Sequence, residues 1–231
     1  MTEPEDIQRQ PEQLDVVTPT GVHLRAAERS EVHNGGHWHQ VFHCLVIRPG
    51  TPARVVLQRR HHSKAAFPGL LDLSATGHLM AGESPADGVR ELNEELGIDA
   101  TAADLHPVGV RLLADDGGEG QNRERVHLYF MTDDRPLDRY NPEPTEVESL
   151  VEVAADDLLD LIAGLNSAPT AAKPAHADSR SIAASEWRPG SAVTSSTITG
   201  ADLIKPSDGY WTVLLVMAER YADGGGQPLA I

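Results

Sequence analysis

Apolar residues in this chain fall into short blocks set off by glycine and proline, with helical periodicity in only a few places. Residues 40–48 form an almost unbroken apolar run after the turn signal Gly35-Gly36. Pro49-Gly50 then leads into residues 53–60, and the two blocks read as neighbouring strands. A short strand is expected at 14–17, and further strands at 105–114, 124–132 and 147–153. In residues 154–164, Leu158, Leu159, Leu161 and Ile162 recur on one side, which predicts a helix. A second, largely apolar helix is expected over 211–221, from Trp211 to Tyr221, stopped by Gly224-Gly225-Gly226. Between these helices, residues 166–199 are rich in Ala, Ser, Thr and Pro and poor in large apolar groups. The pattern is mixed α/β without internal repeats. It divides into a flexible N-terminus (1–13), a main domain (14–164), a linker or irregular excursion (165–200) and a helical segment (201–231) that docks on the main domain.

One further segment, 77–98, carries its own punctuation. Ser84 suits an N-cap, Pro85 the first helical position, Asp87 the first turn and Gly97 the C-terminal end, so a helix of about three turns is expected. At about 100° per residue, Glu91, Glu94 and Glu95 share one face, while Val89, Leu92 and Leu96 share another. Packing the apolar face against a sheet would fix three mutually repelling carboxylates in place. Arg90 alone cannot neutralise them, and a hard divalent cation is the economical partner. A solvated acidic helix surface is the alternative reading of the same residues.

Charge and composition narrow the class. The formal net charge of −16 argues against capture of nucleic acid or an anionic membrane, both of which attract basic surfaces. The single cysteine, Cys44, lies inside the apolar run, so it is expected as a small core residue, and neither an intrachain disulfide nor a paired-cysteine zinc site can form. The first twenty residues carry five acids and do not read as a targeting segment; together with the absence of a long apolar stretch this predicts a cytoplasmic protein. The one compact basic segment, Arg59, Arg60, His61, His62 and Lys64, is a candidate for steering an anionic substrate, with Arg59, Arg60 and Lys64 as its binding residues; an exposed turn is the blander reading. His37, His39 and His43 are a weaker candidate for a zinc cluster. Trp38 and Trp211 could stack on a base, although core positions are the commoner fate of such residues.

Taken together, Gly77, Glu83, Arg90, Glu91, Leu92, Glu94, Glu95, Gly97 and Ile98 resemble the Nudix box. One spacing departs from that pattern: six residues, 84–89, separate Glu83 from Arg90 where the family has seven. The resemblance extends over about residues 14–164. The segments at 33–39, 57–60, 67–69 and 71–78 are similar to the branch of the family related to isopentenyl-diphosphate isomerase.

This resemblance implies an α/β/α sandwich with a mixed sheet, in which Mg²⁺ or Mn²⁺ bridges diphosphate oxygens and activates water for attack at phosphorus. Metal binding would fall to Glu91, Glu94, Glu95 and the carbonyl of Gly77, with Glu94, Glu95, Arg90 and a glutamate outside the box, Glu124, as catalytic candidates. A salt-bridged strand residue is the alternative for Glu124. The implied partner is a small-molecule diphosphate, nucleoside-linked or otherwise organic; a homodimer is left open. Isomerisation is the rival reaction, but that enzyme needs a cysteine just before its Gly-His pair, and Thr76 stands there. A Nudix-fold binding module without effective catalysis is the third reading.

Overall fold

In the computed structural model, which describes residues 11–115, 121–166, 180–204 and 209–224, the apolar blocks become strands whose two faces are covered by different helices. β1 (Gln13–Val17) and β2 (His23–Glu28) make an antiparallel hairpin, followed by the short helix α1 (Arg29–Asn34). The main sheet comprises β3 (His39–Arg48), β4 (Arg54–Arg60), β5 (Leu71–Asp72), β6 (Ala75–His78), β7 (His106–Asp115), β8 (Asn122–Thr132), β9 (Val147–Ala154), β10 (Ser181–Trp187) and β11 (Thr194–Thr199). Its order is β11-β10-β9-β4-β3-β8-β7, with β5 against β4 and β6 against β3. Only the β3–β8 pair is parallel among these described strands, so the sheet is mixed.

The strand period of two sorts side chains between two cores. Leu45 and Ile47 of β3, Val55 and Leu57 of β4, and Leu128 and Phe130 of β8 face α3 (Ala155–Asn166) and α4 (Tyr210–Ala222), which contribute Leu158, Leu161, Ile162, Trp211, Leu214 and Leu215. Phe42, Cys44 and Val46, the alternate residues of β3, face α2 (Arg90–Leu96) and bury Leu92 and Leu96. The result is an α/β/α sandwich. Cys44 is fully buried, and burial pushes its thiol well above its ordinary range. No helix among the described residues is long and apolar enough to cross a membrane.

One expectation is corrected. Residues 181–187 and 194–199 are not an irregular excursion: they form the antiparallel hairpin β10–β11, which extends the main sheet beyond β9. Their composition hides this, because Ser, Thr and Ala dominate. Ala184 and Ile198 are nevertheless buried in one core and Trp187 in the other, which is enough to seat an edge hairpin. The remainder of the expected linker, 167–179, and the first ten residues lie outside the described residues, as do Gly225 and Gly226.

The C-terminal helix is anchored before it begins. Asp202 and Ile204 exchange backbone hydrogen bonds with Leu71 at 2.7 and 3.1 Å, and the buried indole of Trp211 donates to the carbonyl of Ile204 at 3.1 Å. Trp211 thus belongs to the core. Trp211→Ala should lower unfolding free energy by about 3–5 kcal/mol through the cavity it leaves; urea denaturation followed by circular dichroism measures this, and a loss below about 1 kcal/mol would contradict the docking of α4.

Candidate active site

The site is built on a fork in the sheet. β3 pairs with β4 only from Val46 to Arg48; nearer its start, Val41–Cys44 pair instead with β6. The buried hydroxyl of Ser74 sits where the strands part, accepting from the amide of Val46 at 2.7 Å and donating to the carbonyl of Val56 at 2.5 Å. A carboxylate of α2 enters this fork. Glu95 Oε2 accepts a hydrogen bond from Gln58 Nε2 of β4 and another from the amide of Thr76 of β6, both at 2.8 Å.

The segment leading into α2 explains the short spacing. The expected single helix is in fact two: Pro85–Val89 wind as a 3-10 helix, and only Arg90–Leu96 are α-helical. Asp87 accepts from both the amide and the hydroxyl of Ser84 at 2.7 Å, which fixes the start. Gly97 closes the end at φ 66°, a left-handed conformation that favours glycine. Five residues at three per turn rotate the chain by about 600°, as do six α-helical residues at about 100° each, and the rise is about 10 Å against about 9 Å. The tighter winding thus gives five residues the rotation of six α-helical ones. Glu83 keeps its place, accepting from Arg90 Nε and Nη2 at 2.8 and 3.1 Å and from the amide of Met80 at 2.7 Å. Gly88 faces β3 so closely that a Cβ there would lie 2.5 Å from Phe42 Cβ.

Of the three acids expected to converge, two are buried and one is not. Glu91 and Glu95 are 8% and 5% exposed, whereas the Glu94 side chain is 56% exposed and joins the group through Arg90, 3.1 Å away. Arg90 also donates to Glu91 at 2.5 Å and to the carbonyl of His78 at 2.7 Å. Desolvation pushes Glu91 up to about 7 and Glu95 up to about 8; the charges of Glu94 and Glu83 add to the rise of Glu91, and that of Glu91 to the rise of Glu95. Arg90 lowers Glu91 only in part. Gly77 lies against this pair: a Cβ there would fall 2.0 Å from Glu91 Oε1. Two buried, undercompensated carboxylates against a bare backbone segment form an oxygen-rich set that fits a hard divalent cation.

The basic residues are placed less uniformly than the sequence suggests. Lys64 pairs with Glu146, and its ammonium also feels Glu95 and Glu91. Arg60 donates to Asp72 at 3.1 Å. Arg59, expected as a substrate contact, instead points into a structural network, reaching Glu186 at 3.3 Å, Asp202 at 3.4 Å and the carbonyl of Gly69 at 3.0 Å. It ties β4 to β10 and to the segment before α4.

A second cluster was not read from the sequence. His33, His39 and His78 bring one ring nitrogen each within 4.8 Å of one another, whereas the expected trio of His37, His39 and His43 does not assemble. His39 Nδ1 lies 3.0 Å from the carbonyl of His37, to which it can only donate, so Nε2 carries the lone pair. That Nε2 is buried without a hydrogen-bond partner. Burial lowers the affinity of all three rings for a proton, leaving neutral imidazoles. An orphaned lone pair on a ring whose other nitrogen is held by a carbonyl fits a transition-metal ligand set. Glu124 lies opposite His39 in the β3–β8 register and beside this cluster; burial raises its carboxyl and the nearby His33 is among the groups that oppose this. The missed signal was His33 and the Gly77-His78 pair, 45 residues apart in sequence and joined only by the fold. β6 links the two centres, since the Thr76 amide holds Glu95 while the His78 ring completes the imidazole cluster.

Comparison with known proteins agrees with this architecture. A crystal structure of a Deinococcus radiodurans protein superposes with a TM-score of 0.52 at 20% identity, covering 66% of this chain and 89% of that one, a likeness of fold. An uncharacterised Nudix hydrolase of Clostridium acetobutylicum is 40% identical over 131 residues, which is 56% of this chain and 64% of that relative, somewhat under two thirds of its length. An isopentenyl-diphosphate Delta-isomerase of Cutibacterium acnes is 32% identical over 153 residues, 61% of this chain and 73% of that enzyme. The family model described as NUDIX domain matches residues 37–175, more than half of the sequence, and the chain belongs to the Nudix family.

Proposed function

We propose that this protein is a divalent-metal-dependent hydrolase that cleaves the diphosphate bond of an organic diphosphate. The observation that carries this reading is the pair of buried carboxylates, Glu91 and Glu95, set against Gly77 with too little positive charge to satisfy them. The Gly77 carbonyl, Glu94 and Glu95, with Glu91 beside them, would hold Mg²⁺ or Mn²⁺. When bound, such an ion supplies charge neutralisation, substrate orientation and a more acidic water.

The chain's own residues have separable tasks in this reading. Gln58 and the Thr76 amide hold the Glu95 carboxylate in one orientation. Arg90 restrains Glu91 through Oε1, leaving Oε2 without a hydrogen bond among the described residues. With Oε2 unengaged, Glu91 can serve the cation or accept a proton from a water beside it. Lys64 and Arg60 attract the substrate's negative charge; Arg59 is committed elsewhere. Hydrolysis is favoured over isomerisation because Thr76 stands where the isomerase resemblance requires a thiol.

Incubation with nucleoside diphosphate derivatives, dinucleotides and isoprenoid diphosphates, with and without Mg²⁺, tests this. Mg²⁺-dependent phosphate-bond cleavage is the expected outcome; double-bond migration, or binding without turnover, would overturn it.

Glu95→Gln links chemistry to stability. In the metal-free protein the folded chain retains protons on Glu91 and Glu95 that the unfolded chain has lost, over the range from about pH 5 to about pH 8. Stability of the metal-free wild type should therefore fall as pH rises through this window. Glu95→Gln should flatten that fall and also reduce metal-dependent turnover by about 100-fold or more, with an unchanged circular dichroism spectrum. Equal pH slopes in thermal melts, or wild-type turnover, would count against the assignment.

Inserting one alanine between Ser84 and Arg90 probes the winding. The 3-10 segment already supplies the needed rotation, so the insertion should overwind the entry to α2, misplace Glu83 relative to Arg90 and lower activity at least severalfold. A clear gain in turnover would show instead that the native spacing is defective.

A further inference from the structure

The sheet face beneath α4 changes character along β3 and β8. At one end, Leu45, Ile47, Leu128 and Phe130 are buried under α3 and α4. Towards the other end, the same face carries His43, opposite Thr76 in the β3–β6 register, and Glu124 on β8. It also carries Arg111 on β7, opposite Val126. His43, Thr76, Arg111 and Tyr210 are all partly exposed. These polar side chains stay partly exposed on a face otherwise closed by helices and make a polar floor, with the first residue of α4 beside it.

Three of these residues are coupled. The Tyr210 hydroxyl lies 3.0 Å from His43 Nδ1, and the Arg111 guanidinium lies over the Tyr210 ring, 4.3 Å from its centroid. Burial, with help from the charges of Arg111 and Arg60, pushes His43 down to about 3, so its ring is neutral at physiological pH. In the tautomer in which Nδ1 accepts the phenolic proton, the neutral imidazole carries its own hydrogen on Nε2. His43 Nε2 makes no hydrogen bond among the described residues and is not among their buried unpartnered atoms. In that tautomer Nε2 is a donor. Thr76 connects this floor to the acidic helix, since its amide binds Glu95 and its register partner is His43; side chains directly opposite in an antiparallel pair lie about 5 Å apart.

We propose that Arg111, His43 and Tyr210 form a binding wall for a phosphate group of the substrate, reached across Thr76 from the Glu91–Glu95 centre. Arg111 supplies the charge and a planar donor fork, His43 supplies a neutral donor, and Tyr210 sets the tautomer of one and the position of the other. The C-terminal helix thereby contributes to substrate recognition as well as to the core. This inference rests on the diphosphate hydrolase reading and assigns it a specificity-determining surface outside the acidic helix.

The test uses the full chain with inorganic pyrophosphate and Mg²⁺ in isothermal titration calorimetry. Arg111→Met should weaken binding about tenfold or more, and Arg111→Lys should recover part of it. Tyr210→Phe keeps the ring beneath Arg111 but removes the hydroxyl. It should weaken binding severalfold and convert His43, seen by long-range ¹H–¹⁵N NMR, from a single Nε2–H tautomer to a mixture. Independently of any variant's folding, pyrophosphate should shift the wild-type His43 resonances. No shift at His43, wild-type affinity in a folded Arg111→Met protein, or no pyrophosphate binding by a wild type that still turns over the substrate panel would overturn the wall. Absence of Mg²⁺-dependent turnover on that panel, with pyrophosphate still bound at His43, would instead overturn the hydrolase reading.

Discussion

Keeping two interacting carboxylates of one helix out of water is the constraint on which the rest of this site depends. Glu91 and Glu95 repel each other, and burial penalises the charge of both. The fold holds them there because Leu92 and Leu96 drive the opposite face of α2 into the core beneath Phe42 and Val46. The fork between β4 and β6 then offers Glu95 two donors and Glu91 a glycine wall. Apolar packing thus holds an electrostatically unfavourable group in place, and a cation has somewhere to act.

The fork also explains why two chemically different clusters lie side by side. An uninterrupted β3–β4 pair would separate the two faces of the sheet. Replacing β4 by the four-residue β6 over part of β3 creates a short segment that touches both sides. Its backbone serves the oxygen-rich centre through Thr76 and Gly77, and its last side chain, His78, serves the nitrogen-rich one. Oxygen and imidazole donor sets stay distinct because each is gathered from different elements.

Much of this was legible in the residues, and the failures have physical causes. The strands were marked by dense apolar blocks, and the acidic helix by its cap, its glycine stop and two opposed faces. Local periodicity carries such information. It could not say that Glu94 points outward, because exposure depends on the tilt of α2 against the sheet. Nor could it find the histidine cluster, whose members meet only through pairing of β3 with β6 and the position of α1. The β10–β11 hairpin escaped because a Ser- and Thr-rich edge needs only three buried side chains. Arg59 looked equivalent to Arg60 in sequence, yet adjacent strand residues point to opposite faces, and only Arg60 reaches Asp72 beside the fork.

The 3-10 winding ahead of α2 has a consequence for the geometry of the site. What Glu83 and Arg90 require of the intervening chain is an angular phase, and two helix types can deliver the same phase from different numbers of residues. The 3-10 turn thereby sets the angle at which Arg90 meets Glu83, and pitch is as much a part of this site's geometry as residue count.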